Sequence, residues 1–254
     1  MKPEDTMDIA EVRSEEVEET KLKPPESGAD FNAVEDVIYR RRSTRYYKRK
    51  QVPEYLIRRI LETGRFAPSA GNAQTWKFIV VQDKTMIDEM TTDIVDVCKR
   101  GVKLADYTAP GRENRKWIAD VLMRLRTNEF HPIPFGAMKL ISEGKLGVWH
   151  GAPTVILMLG DTRSPGDPSI DIGIAGQNMV LAAHSYGIGT CWVSFCKPLS
   201  YNSKWKKRLG LRHPYRLITS LAIGFPRGNP DGFVTRETQA IDWFGSDGTF
   251  RVLY

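Results

Sequence analysis

Between Thr154 and Gly160 the chain reads Thr-Val-Ile-Leu-Met-Leu-Gly, with no polar side chain after its first position. A half-solvated strand alternates apolar and polar residues, so a run this uniform reads as a buried strand. Three more segments, Thr75 to Gln82, Thr190 to Phe195 and Tyr215 to Ile223, are rich in aromatic and β-branched residues and read as strands too. Between them, apolar residues recur at helical spacing. Phe31, Val34, Val37 and Ile38 form one such stripe, with Asp30 as its expected N-cap. Leu56, Ile57, Ile60 and Leu61 form a second, opened by Pro53 and with Gly64 near its end. Met86, Ile87, Met90, Ile94 and Cys98 form a third. Ile170 to Tyr186 is a helix crowded with Gly173, Ala175, Gly176, Ala182 and Ala183, which lets another element approach closely. A basic helix is expected from Leu199 to Leu209. Helices and strands interleave around one core, so the expected class is an α+β or α/β sandwich.

The ends and one internal segment depart from this pattern. Residues 1–29 are acidic, carry Pro24-Pro25 and hold few large apolar side chains, so a flexible extension is expected ahead of a body at 30–254. Residues 101–148 are the least regular part of the body, with a helical piece (Trp117, Ile118, Val121, Leu122, Leu125) between Pro110-Gly111 and His131-Pro132-Ile133-Pro134. A segment of this kind is a lid over a site or an arm in an interface. No apolar run approaches the ~20 residues needed to cross a bilayer. The acidic start has no secretory pattern, so no membrane partner and a cytoplasmic location are expected.

Composition excludes more than it selects. A net charge of +6 fits nucleic acid and anionic small molecules equally. Cys98, Cys191 and Cys196 are odd in number and lack a CxxC spacing, which argues against a disulfide framework or a zinc site. The four histidines are scattered without HExxH spacing, so no metal is expected. Neither a Gly-x-Ser-x-Gly elbow nor a phosphate-binding Gly-x4-Gly-Lys-Ser/Thr loop occurs. Gly173 and Gly176 lie inside a helix rather than at a strand-to-helix turn, which removes a dinucleotide fingerprint.

Two short elements carry the chemistry. Arg41-Arg42-Ser43-Thr44-Arg45 packs three guanidiniums and a hydroxyl beside Thr44 into five residues, a donor set that matches phosphate oxygens. Ala67-Pro68-Ser69-Ala70-Gly71-Asn72-Ala73-Gln74 is a small-residue turn ending in amides, suited to close backbone approach and to the edge of a heterocycle. Each has a plainer reading. Seven basic residues between Arg40 and Lys50 are also what a solvated face or a nucleic-acid patch carries, and Pro-Ser-Ala-Gly-Asn serves any reversing loop. No zinc-finger or single-strand-binding signature accompanies the basic run, which weighs against nucleic acid.

The order of these elements resembles the nitroreductase family of FMN-dependent oxidoreductases across about residues 31–240. The Arg-rich helix end comes first, then the small-residue loop before Trp76, and then the small-residue helix before Gly187-Ile188-Gly189-Thr190-Cys191-Trp192-Val193-Ser194. A late Gly224-Phe225-Pro226 and Arg236 complete the set. The glycine-rich strand is most similar to the branch containing the flavin destructase and the iodotyrosine deiodinases. The resemblance implies an α+β, three-layer fold, a mixed central sheet flanked by helices, in an interlocked homodimer with FMN at the interface.

By that resemblance Arg41, Arg42, Ser43 and Arg45 hold the FMN phosphate and ribityl chain. Pro68, Ser69, Ala70 and Gly71 pack on the flavin from the other subunit, and Asn72 and Gln74 lie near it, Gln74 as ligand or as brace of the loop. Trp192, Val193 and Ser194 flank the ring, with Ser194 the catalytic candidate at flavin N5. Arg236 is the late phosphate ligand, with Arg227 as competitor. The implied reaction takes hydride from NADH or NADPH to an electron-poor planar acceptor, a nitroaromatic or quinone, by a ping-pong mechanism. Reductive dehalogenation or oxygen-dependent flavin cleavage is the alternative chemistry, and nucleic-acid binding or flavin storage without turnover the alternative class. Residues 238–254 are apolar enough to wrap a partner or to cover their own core. A deiodinase-type Glu, Tyr, Lys clamp does not align onto residues 101–148.

Overall fold

A computed structural model of the chain describes residues 31–106, 110–125, 132–229 and 239–253, together with Gly232, Val234 and Arg236. The expected extension at 1–29 and the expected cap Asp30 lie outside the described residues. Residues 40–232 form one compact unit, and residues 1–39 with 233–254 another.

The larger unit is built on four strands, β1 (Trp76–Val81), β2 (Thr154–Asp161), β3 (Gly189–Val193) and β4 (Tyr215–Gly224), in the order β1-β2-β4-β3. Each neighbouring pair is antiparallel. The sheet's mixed character comes from the segment before the strands, where Ser43 makes a parallel bridge to Thr190 at the outer edge of β3. Alternate residues of β2 feed two cores. Val155, Leu157 and Leu159 meet Ile87, Met90 and Ile94 of α3 (Lys84–Ala105) on one face. Ile156 and Met158 meet Ile57 and Ile60 of α2 (Glu54–Arg65) and Ile172 and Met179 of α6 (Pro168–Ser185) on the other. That explains the uniform apolar run: both faces of β2 are covered by helices. The result is a three-layer α+β fold, as expected.

Helix starts follow cap chemistry. Asp83 accepts from Thr85 N at 2.9 Å at the head of α3, and Asp167 from Ser169 N at 2.7 Å ahead of Pro168 in α6. Helix α1 (Ala33–Arg40) is capped by Asn32, whose Oδ1 accepts from Val34 and Glu35 N while Glu35 bonds back to Asn32 N. Gly64 lies in the last turn of α2, near its end as expected. A Cβ there would sit 2.9 Å from the Met179 side chain, so the glycine is what lets α2 settle onto α6.

Several boundaries differ from the sequence reading. The Pro-rich stretch at 132–134 opens a helix, α5 (Pro132–Ser142), after α4 (Lys116–Leu125). Prolines are tolerated in a first turn because those N–H groups have no helical acceptor. Ser194 and Phe195 are not in β3. They begin a 3-10 helix (Ser194–Tyr201) that takes the first part of the expected basic helix, and α7 (Ser203–Arg208) takes the rest behind its cap Asn202. Pro198 inside that stretch forbids one continuous α-helix. Within 101–148, Gly101 lies against Met138, Lys139 pairs with the nearly buried Asp106 at 3.2 Å, and Ile141 and Val148 are core residues. The described exposed apolar residues of α4 are Trp117 and Val121. In the smaller unit, β5 (Ile241–Phe244) and β6 (Phe250–Leu253) form a hairpin with Phe244 and Phe250 in ring contact at 4.8 Å, a pairing the sequence reading did not anticipate.

Candidate functional site

The Arg-rich segment is fastened along its length. Thr44 N donates to Thr190 O at 2.8 Å, Lys48 N to Phe225 O at 2.8 Å and Arg227 N to Tyr46 O at 2.9 Å. Tyr47 is buried, and its hydroxyl donates to Thr44 O at 2.7 Å with Ala222 O at 3.2 Å. Burial pushes that phenol far above its ordinary pKa, so it acts as a neutral clamp. Two glycines make room for the segment. A Cβ on Gly189 would lie 2.5 Å from Thr44 Oγ1, and one on Gly224 2.8 Å from the Tyr47 ring. Both glycines are close-approach positions.

These fastening bonds use backbone groups and the Tyr47 hydroxyl and no arginine side chain. Arg41 and Arg42 are half-buried, and Ser43 and Arg45 are exposed beside β3. Neither Arg45 nor the Ser43 hydroxyl has a partner among the described residues, and the buried Thr44 Oγ1 has none either. Positive charge from Arg45 reaches its neighbours: it draws the Cys191 thiol down against the larger upward push of burial, and it adds to the burial that lowers His150. A buried orphan hydroxyl in an arginine-rich segment fits an anionic group such as a phosphate.

The loop ahead of β1 has its own tension. Gly71, Asn72 and Gln74 have φ of 58°, 54° and 48°, left-handed positions on either side of a right-handed Ala73 that cost strain at the two non-glycine residues. Side chains hold it. Ser69 Oγ accepts from Gln74 N at 2.9 Å, and Gln74 Nε2 donates to Asn72 Oδ1 at 3.2 Å. Beneath it, the buried Thr75 donates to the buried Asp171 of α6 at 2.9 Å. Ala70 leans on Gly166, where a Cβ would sit 2.6 Å away. Pro68, Ala70, Gly71, Asn72 and Gln74 are exposed and Ser69 half-buried.

At the far end of β3, Trp192 is 36% exposed and Val193 is buried. Ser194, exposed at the first position of the 3-10 helix, has a hydroxyl without a partner among the described residues. Sheet order puts the Arg segment at the β3 edge and the Pro68–Gly71 loop at the β1 edge, three strand spacings or ~14 Å apart at ~4.8 Å each. Trp192 and Val193 lie on the same edge strand that receives the Arg segment, and Ser194 directly follows it, four residues or ~13 Å along from Thr190, whereas the loop lies at the opposite edge of the sheet. Arg227 belongs to the same unit through its bond to Tyr46; Arg236 is exposed in the smaller unit. Sequence reasoning missed Thr44, Tyr47 and the Thr75–Asp171 pair. The signal available was weak: a threonine and a tyrosine between basic residues, and the one acid of α6.

The pattern that defines the nitroreductase family matches residues 38–225, from α1 through the exit of β4. The chain belongs to the nitroreductase family. A protein of Methanothermobacter thermautotrophicus, named provisionally as an NADH dehydrogenase/NAD(P)H nitroreductase, is 29% identical over 202 residues, 78% of this chain and 79% of that one. The 5,6-dimethylbenzimidazole synthase of Rhodospirillum rubrum is 26% identical, covering 74% of this chain and 79% of its own. Among solved structures, an FMN-bound nitroreductase of Desulfitobacterium hafniense superposes with a TM-score of 0.60 at 23% identity, over 81% of this chain and 95% of that one. The family match spans every candidate from Arg41 to Ser194 and stops short of both Arg227 and Arg236.

Proposed function

We propose that this protein is an FMN-dependent oxidoreductase that moves hydride from NADH or NADPH to a small planar, electron-poor acceptor. The observation that carries the reading is the clamped, arginine-rich segment at the head of a strand whose other end presents the Ser194 hydroxyl, which has no partner among the described residues. Arg41, Arg42, Ser43 and Arg45 would bind the phosphate and ribityl chain, with the Thr44 hydroxyl as a further donor. When bound, FMN would supply a ring able to accept a hydride from the reduced nicotinamide and release it to the acceptor in a second half-reaction. A guanidinium near the pyrimidine edge would stabilise negative charge there, and Ser194 would hold a hydrogen bond at N5. Neither acts as a nucleophile.

The opposite-edge placement of the Pro68–Gly71 loop supports a homodimer in which the loop, with Asn72 and Gln74, covers the flavin held by the other chain. Ile170, 62% exposed on α6, and Phe66, 78% exposed after α2, are apolar surface such a partner would cover. Residues 238–254 would wrap the partner, α4 and its flanks would form the lid over the acceptor, and Arg236 would be the late phosphate ligand ahead of Arg227. Among the described residues no helix is long and apolar enough to cross a membrane.

A visible spectrum of the purified protein tests this. Flavin absorbance that is released as FMN on denaturation, bleaches with NADH without oxygen and returns with a quinone supports turnover. Bleaching that fails leaves a storage protein; a colourless protein that binds DNA with steep salt dependence leaves the basic patch as its function. The Rhodospirillum rubrum relative favours a second reading, oxygen-dependent flavin cleavage, which predicts loss of FMN itself under NADH and oxygen.

A further inference from the structure

The 3-10 helix that starts at Ser194 repeats every three residues, so Ser194, Lys197 and Ser200 stack along one face. Burial follows that period: Cys196 and Leu199, on the opposite register, are fully buried, while Ser194 is exposed and Lys197 and Ser200 are half-buried. Lys197 and Ser200 line a cleft of about 530 Å³ at the start of β4. Lys206, Arg212, Arg216 and Ser169 close it. Lys197, Lys206, Arg212 and Arg216 form no ion pair within 4 Å among the described residues; Arg216 bonds the Ser169 hydroxyl at 3.5 Å, and its charge adds to the Ser169 hydrogen bonds that hold the Asp167 carboxyl below its ordinary pKa. The nearest acids are engaged elsewhere. Asp161 is bound twice by Arg163, at 3.1 and 2.6 Å, and Asp167 caps α6. Four cations and no acid line one concavity of this size, a site for a multiply charged anion.

We propose that this cleft binds the diphosphate of the reduced nicotinamide dinucleotide, a proposal that rests on the functional reading above. At a rise of ~2.0 Å per residue, Lys197 lies ~6 Å and Ser200 ~12 Å along the helix from Ser194. A dinucleotide places one ribose between its nicotinamide ring and its diphosphate, a span between those two steps. With the ring at the Ser194 end, the diphosphate reaches Lys197, Lys206, Arg212 and Arg216. The cations orient the donor and take no part in the transfer. The hydride of nicotinamide C4 would pass to the flavin that the reading above invokes, and the oxidised dinucleotide would depart with its diphosphate intact.

The test uses the full-length protein as purified and the exposed-residue variants Lys206→Ala, Arg212→Ala and their double. NAD+ and inorganic pyrophosphate are titrated by calorimetry. Turnover is followed with NADH and with N-benzyl-dihydronicotinamide, which carries no phosphate. Each variant is expected to raise the NADH KM and weaken NAD+ and pyrophosphate binding by about tenfold. Flavin content and turnover of the benzyl donor should be unchanged, and added salt should raise KM for NADH alone. An unchanged NADH KM in the double variant, with flavin content and benzyl-donor turnover intact, overturns the assignment and leaves the functional reading standing. A wild-type protein that holds no flavin and oxidises neither donor overturns both.

Discussion

The Trp192 indole fills the space that a side chain at Gly176 would need: a Cβ there would lie 2.1 Å from its Cη2 atom. Helix α6 and strand β3 are therefore locked together at the edge that also carries the Arg segment. Gly176→Ala gains up to ~1 kcal/mol of helix propensity but overpacks the contact, which costs about 1–3 kcal/mol. Because Trp192 is partly exposed it can yield by swinging outward. The expected result is a modestly lower Tm with red-shifted tryptophan emission, and no such emission shift when the same change is made in Trp192→Phe.

Arg41→Ala and Arg45→Ala should each release FMN. A charge-assisted contact to phosphate is worth about 1.5–3 kcal/mol, so affinity should fall by one to two orders of magnitude. Fluorescence titration of the apoprotein with FMN measures it. Both variants holding flavin as tightly as the native chain would place the phosphate elsewhere.

The fold was legible where burial writes itself into residue choice. The apolar run of β2, the stripes of α2 and α3 and the small residues of α6 all report which faces are covered, and the sheet follows from them. Positions set by backbone approach were less legible. The close contacts of Gly64, Gly189 and Gly224 could not be read because a missing Cβ looks the same whether it permits a dihedral or a contact. Ser194 was misplaced by one element, since Gly-Thr-Cys-Trp-Val carries strand propensity into a stretch that Pro198 turns to 3-10. Donor chemistry was visible at Arg41 to Arg45, whereas the threonine and tyrosine that fix the segment have meaning only through partners far along the chain.

Thr75 and Asp171 are buried and bonded at 2.9 Å, joining the strained loop to α6. Thr75→Val keeps the shape and strands the acceptor, which should cost about 1–3 kcal/mol in urea unfolding. Thr75→Ser, which restores the donor, should recover most of it. Equal loss in both would mean the methyl packing and not the hydrogen bond matters.

His150 has its pKa lowered, first by burial and then by Arg45, and it occupies a left-handed conformation with φ of 55°. Its folded pKa lies below its unfolded value near 6.5, so the unfolded chain binds the proton first. The stability that the neutral ring contributes is present above about pH 6.5 and is lost as pH falls through the folded pKa. His150→Asn removes the titration while tolerating the left-handed backbone. The variant's Tm should drop less than the native protein's between about pH 7 and pH 5; an identical drop would assign the acid sensitivity to other groups.

The separation of the Arg segment and the Pro68–Gly71 loop at opposite sheet edges yields the most decisive experiment. If each flavin is held by the arginines of one chain and covered by the loop of the other, damage to either element kills both sites of a homodimer. A chain with Arg41→Ala and Arg45→Ala is intact in its loop, and a chain with Ser69→Trp and Gly71→Val is intact in its arginines. In a mixed dimer one site receives both defects and the other receives neither. Co-refolding equal amounts should make about half the dimers mixed, each with one good site, and restore about a quarter of native flavin occupancy and turnover from two inactive parents. Sites built within a single chain cannot complement in this way, because every chain in the mixture carries a defect of its own. Recovery absent from a mixture shown by differential tagging to contain mixed dimers would therefore place both elements in one chain's site, and a holo-monomer in sedimentation at micromolar concentration would do the same.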